Sequence, residues 1–132
     1  MNVLVDTPVW SAALRRAVPD PGHSAALAEL VRQGRAEIIG PVRQEVLSGI
    51  RHPPQFERLR SHLRAFPDLP IAVGDYEQAA EFFNTCRRHG IQGSNTDYLL
   101  CAVAVRRGFA LYTTDADFEH YARHVPVTLY RP

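Results

Sequence analysis

Two short apolar stretches, NVLV at 2–5 and ALYT at 110–113, each run on to an aspartate: Asp6 directly, and Asp115 after Thr114. Both are the length of buried strands, and each is followed by a pattern that reads as a helix. In a parallel sheet wound through helices, the C-terminal strand ends fall on one edge, and ligands gather there. Topology alone would therefore bring Asp6 and Asp115 together. Glu45, Asp97 and Asp117 stand at or near other helix starts. Carboxylates packed without a counterion repel, and some stay protonated. A divalent cation is the simplest remedy.

The elements between these acids alternate. Thr7-Pro8 suits a helix start, because proline is tolerated in the first turn, and this helix is expected to run to about Ala17. Pro19–Gly22 is a breaker cluster. Ala26, Leu27, Leu30 and Val31 recur at helical spacing within 23–33, and Gly34 supplies a stop. A short strand is expected over 36–39, then a helix from Pro41 that carries Glu45. After Pro53-Pro54, Phe56, Leu59, Leu63 and Phe66 line one side of an amphipathic helix. Residues 69–73 read as a brief strand and Asp75 as the cap of a helix reaching His89. Ser94 or Asn95 caps the next helix, through Arg107, and Gly108 ends it. The last helix is expected from Asp115, and a terminal strand over 127–130. This order predicts an α/β sandwich with a mostly parallel sheet, in a single domain over 1–132 without repeats or linkers.

At 132 residues the chain can bury roughly two-thirds of its unfolded surface. The longest apolar run, Tyr98 to Val105, is too short to span a bilayer. No cationic region leads into a long apolar one at the N-terminus, so no signal peptide is expected and the cytoplasm is the expected location, with no membrane partner. All 15 basic residues are arginine. A lysine-dependent phosphate loop or Schiff base is thereby excluded for this chain acting alone. Cys86 and Cys101 lack Cys-x-x-Cys spacing and read as buried free thiols. The six histidines show no ligand spacing and none is assigned to metal. Net charge is only +1, yet Arg43, Arg51, Arg58, Arg60 and Arg64 crowd one stretch, which allows a local basic face.

Each acid has a simpler reading. Asp6 can merely cap the helix after it, Glu45 can be solvated, and Asp97 completes Ser94-x-x-Asp97, close to a capping box. Asp115 and Asp117 also suit a helix start. Capping explains these positions singly but not their shared edge of the sheet.

The segments VLVDTPVW (3–10), GPVRQEVLSGI (40–50), TDYLLCAVAVRRG (96–108) and LYTTDADFEHYA (111–122) resemble the four motif regions of PIN domains. Their order and spacing are most similar to the VapC-type toxins of bacterial toxin–antitoxin pairs. The resemblance covers nearly the whole chain and implies a three-layer α/β/α sandwich. It implies an acidic quartet of Asp6, Glu45, Asp97 and Asp115, with Asp117 as a frequent fifth acid and Thr114 as a hydrogen-bonding helper. Cys101 departs from the small residue usual at its position.

The implied activity is a metal-dependent endoribonuclease that hydrolyses phosphodiester bonds with metal-activated water. Hard oxygen donors suit Mg²⁺, with Mn²⁺ as a substitute. Asp6, Asp97 and Asp115 are the expected principal ligands, direct or through water, with Glu45 and Asp117 placing water or a second ion. Expected products carry 5′-phosphate and 3′-hydroxyl ends. Arg43, Arg51, Arg58, Arg60 and Arg64 are candidates to hold the RNA backbone. Trp10 and Tyr98 either stack on an unpaired base or pack in the core. The implied partners are a small cognate antitoxin and a second copy of the chain. Leu14, Leu27, Leu30 and Val31, or Phe56 and Leu59, can serve either contact or the core. Two rivals remain to compare. Aspartate-nucleophile phosphatases resemble the first strand, but they carry a second Asp where this chain has Pro8, and they need a lysine. A PIN-like module that binds RNA or protein without cleaving is the other.

Overall fold

The computed structural model describes residues 1–15 and 21–132. Its centre is a parallel sheet of three strands, β1 (Val3–Val5), β2 (Ala36–Glu37) and β3 (Ala110–Tyr112), in the order β2-β1-β3. Val3 pairs with Ala36 on one side and Ala110 on the other, and Val5 pairs with Tyr112. Successive strand residues face opposite sides of a sheet. Val3, Leu4 and Val5 are all fully buried, so both faces of β1 are covered, as an α/β/α sandwich requires.

Seven helices among the described residues supply that cover. They are α1 (Thr7–Leu14), α2 (Pro21–Arg32), α3 (Gly40–Leu47), α4 (Pro53–Leu63), α5 (Val73–Arg88), α6 (Asn95–Arg107) and α7 (Asp117–Tyr121). Of these, α6 has the longest buried run, every residue from Tyr98 to Ala104. Ser94 caps it by accepting from the Asp97 amide at 3.1 Å. Gly108 ends it in the left-handed region at φ 68°, where glycine avoids the Cβ penalty. Cys86 and Cys101 are free and buried, as expected.

Several expectations need correction. Residues 69–73 form no strand; Asp68 makes a single bridge to Ile38 and the chain then enters α5 at Val73. The Pro70 nitrogen has no hydrogen to donate to a ladder, which is reason enough. The terminal strand over 127–130 reduces to one bridge, Leu129 to Leu111. Asp75 is not the cap of α5 but its third residue, and its carboxylate accepts from the Ala72 amide at 2.8 Å. The last helix opens at Asp117, two residues later than expected. Pro21-Gly22 begins α2 instead of breaking the chain, since proline fits a first helical turn. The expected end of α1 near Ala17, and Pro19 and Asp20 of the breaker cluster, lie outside the described residues. No helix among the described residues is long and apolar enough to cross a membrane.

Candidate active site at the sheet edge

The ladder between β1 and β3 continues past its last pair, with the Asp6 amide donating to the Tyr112 carbonyl at 2.9 Å. Asp6 and Thr113 therefore leave the sheet side by side. The Thr113 hydroxyl donates to Asp6 Oδ2 at 2.8 Å and accepts from the Asp115 amide at 3.0 Å. Asp115 Oδ1 in turn accepts from the Asp117 amide at 2.9 Å, which places both acids at the start of α7. On the other side, Asp6 Oδ1 accepts from the Thr7 amide at 2.7 Å, and the Thr7 hydroxyl donates to Glu45 of α3 at 2.9 Å. One relay of threonines thus joins Glu45, Asp6, Asp115 and Asp117.

Asp97 enters from the first turn of α6. Its Oδ2 accepts from the Tyr121 hydroxyl at 2.7 Å, and its charge acts on Asp6, as does that of Glu45. Asp6 is 5% exposed. Burial, opposed by the Thr113 and Thr7 hydrogen bonds and reinforced by repulsion from Asp97 and Glu45, lifts its carboxyl from 3.8 to about 6. Asp97 is half-buried, and Glu45, Asp115 and Asp117 are exposed. All five sequence-predicted acids belong to this neighbourhood.

No arginine among the described residues forms an ion pair with them. Among the described residues the ion pairs of arginine go to Glu29, Glu57, Asp68, Asp75 and Glu119. Hard oxygen donors lacking a protein cation are the donor set that Mg²⁺ or Mn²⁺ prefers. Yet no three acidic, histidine or cysteine side chains among the described residues are placed to hold one ion jointly. The cluster is an open electrostatic focus, not a closed cage, so three direct carboxylate ligands are not preset. This suits Mg²⁺, which keeps several waters and takes one or two carboxylates directly.

The structure places the remaining candidates differently. The helper expected at Thr114 is Thr113: Thr114 is exposed, while Thr113 is the threonine that turns inward at the end of β3. Arg43 is committed to the fold, because its guanidinium pairs with Asp68 at 2.9 Å and donates to the carbonyls of Leu63, at 2.9 Å, and Phe66. Arg60 pairs with Glu57 one turn away. Arg51, Arg58 and Arg64 are exposed. Trp10 and Tyr98 are both 1% exposed and pack against Phe66 and Tyr121 respectively, so neither is presented to a base. Thr7, Thr113 and Tyr121 were missed as site residues. The two threonines adjoin the motif acids in sequence, whereas nothing local marks Tyr121.

Comparison with known proteins places this geometry. The VapC ribonuclease Mb1587 of Mycobacterium bovis is 29% identical over 128 residues, covering 92% of each chain. Ribonuclease VapC11 of Mycobacterium tuberculosis matches to the same extent, 29% over 128 residues. Among solved structures, FitAcB from Neisseria gonorrhoeae superposes with a TM-score of 0.80 at 20% identity, over 98% of this chain and 97% of that one. VapBC2 from Rickettsia felis, bound to a DNA fragment from its promoter, gives 0.77 at 15% identity over 98% of both. These structural likenesses concern the fold. The sequence itself matches the PIN domain family over residues 3–124. The chain that assembles these acids at the end of its parallel sheet belongs to the PIN domain family.

Proposed function

We propose that this protein is a metal-dependent endoribonuclease of the VapC kind, acting as the toxin of a toxin–antitoxin pair. The observation that carries the reading is the buried, destabilised Asp6 carboxylate, which shares its site with Asp97 and Glu45 and has no ion pair with a cation among the described residues. The names of the sequence relatives, all ribonucleases, agree with it. When bound, Mg²⁺ or Mn²⁺ offsets the charge building on a scissile phosphate and makes water a better nucleophile at neutral pH.

The chain's own residues have definable parts. Asp6, Asp97 and Asp115 would hold the ion, directly or through water. Glu45, held by Thr7, and Asp117, at the start of α7, orient solvent around the phosphate. Thr113 fixes Asp6 and Asp115 relative to each other through one hydroxyl. Arg51, Arg58 and Arg64 remain as contacts to the RNA backbone.

The antitoxin has a natural seat as well. An apolar recess of about 600 Å³ lies between α1, α2 and the end of α4, lined by Trp10, Leu14, Leu27, Val31 and Phe66. Leu30 and Leu59, also considered for this contact, are buried core. Solved neighbours of this fold include toxin–antitoxin complexes, and a hydrophobic segment of such a partner would fill the recess.

The test is incubation of the purified, partner-free chain with structured RNA and Mg²⁺ or Mn²⁺. Cleavage leaving 5′-phosphate ends is expected, abolished by EDTA. Asp6→Asn or Asp97→Asn should lower the rate by about a hundredfold, equivalent to a few kcal/mol at the barrier. RNA binding without metal-dependent cleavage would favour the non-catalytic module, and cleavage indifferent to both substitutions would reject the site.

A further inference from the structure

Tyr121 closes α7 and lies in the fourth motif segment (111–122) without being one of its acids, yet its hydroxyl donates to Asp97 Oδ2 at 2.7 Å. The side chain is 1% exposed. Two aromatic rings hold it: Tyr98, with centroids 4.9 Å apart, and Phe118, edge-on at 5.0 Å. The remaining side is the backbone of Gly93. A Cβ at Gly93 would stand 2.5 Å from the Tyr121 hydroxyl oxygen and 2.7 Å from its Cζ. The φ of Gly93 lies outside the left-handed region, so space, not backbone freedom, requires glycine there.

The next residue, Ser94, accepts from the Asp97 amide at 3.1 Å. Asp97 is thereby fixed twice, by Ser94 at its main chain and by Tyr121 at one carboxylate oxygen. Its other oxygen, Oδ1, accepts no hydrogen bond among the described residues. A half-buried carboxylate in a first helical turn otherwise rotates among several conformers, and each conformer moves the donor atom. A donor clamped by packing removes that freedom at one oxygen and leaves the second for a ligand, the arrangement by which neighbouring groups tune metal sites.

We infer that Tyr121 is a positioning residue for Asp97, and that Gly93 is the gap that seats its hydroxyl. The inference rests on the cluster being a metal centre, and Mn²⁺ binding separates the two claims. Titration of the chain with Mn²⁺, followed by water-proton relaxation, is compared for the unmodified protein, Tyr121→Phe, Gly93→Ala and Asp97→Asn. Thermal melting in EDTA is recorded for each. Tyr121→Phe keeps the ring and deletes only the donor. It should melt cooperatively and bind Mn²⁺ about tenfold more weakly. Gly93→Ala should weaken binding similarly by displacing the hydroxyl. Binding abolished in Asp97→Asn but unchanged in Tyr121→Phe overturns this inference alone. A Tyr121→Phe chain that no longer melts cooperatively also overturns it, by making the hydroxyl a fold determinant. Absence of Mn²⁺ binding by the unmodified chain overturns the metal-centre reading and this one with it.

Discussion

Asp6 caps α1 and repels two other acids at the same time, so capping alone does not describe its surroundings. Its folded carboxyl titrates near 6 instead of 3.8, chiefly because burial penalises the charge. Between those values the native chain keeps a proton that the unfolded chain has released. Stability therefore falls as pH rises through that window, and the loss is complete above the folded value. In EDTA, the stability of the unmodified chain relative to Asp6→Asn should fall by about 1 kcal/mol from pH 5 to pH 7, measured by denaturant unfolding. Added Mg²⁺ should stabilise more at pH 7 than at pH 5, because a nearby cation favours the ionised form. A difference independent of pH would mean that the charge is not buried as described. The acids were legible one by one because each sits in a motif. Thr113 was not, because only the register of β3 decides which of two adjacent threonines turns inward.

Helix placement follows from side chains that the linear pattern reads poorly. Asp75, at the third position of α5, is 1% exposed and meets Arg106 at 2.9 Å and Arg107 at 3.0 Å, across the contact with α6. Its carboxyl is held below the usual range, first by the hydrogen bond from Arg107, despite its burial. This contribution is present above the ordinary carboxylate range and is lost as pH falls through the folded value, the opposite sense to Asp6. Asp75→Ala should cost about 2–3 kcal/mol in chemical denaturation, since it leaves charge and an amide without their partner. Arg43 makes the same point between α3 and α4. Arg43→Ala should lower stability by about 1–3 kcal/mol with little change in RNA affinity. Replacing Arg51, Arg58 and Arg64 by glutamine should instead weaken RNA binding and flatten its salt dependence, measured by filter binding at several ionic strengths. The sequence pattern found every helix and the three strands of the sheet. It overread 69–73 and 127–130, where apolar residues pack against the core with one bridge just before the first segment, at Asp68, and one within the second, at Leu129.

At the scale of the molecule, the order of elements does most of the functional work. Three parallel strands end on one side: Asp6 and Asp115 follow β1 and β3 there, Asp117 opens α7, and the body of α3 and the first turn of α6 bring Glu45 and Asp97 into the same neighbourhood. Glu45 was marked only by the resemblance to the family motifs, whereas the meeting of Asp6 and Asp115 was readable because alternation of strand and helix leaves few topologies open. The absence of a closed three-ligand cage among the described residues was not, since it depends on side-chain conformers that no spacing encodes. Anomalous X-ray diffraction from Mn²⁺-soaked crystals of the partner-free chain tests the central claim most directly. One strong peak within coordination distance of the Asp6 or Asp97 carboxylate, lost in Asp6→Asn crystals, is the predicted result. A protein whose only ordered Mn²⁺ lies elsewhere, or that takes up none at millimolar concentration, would contradict it.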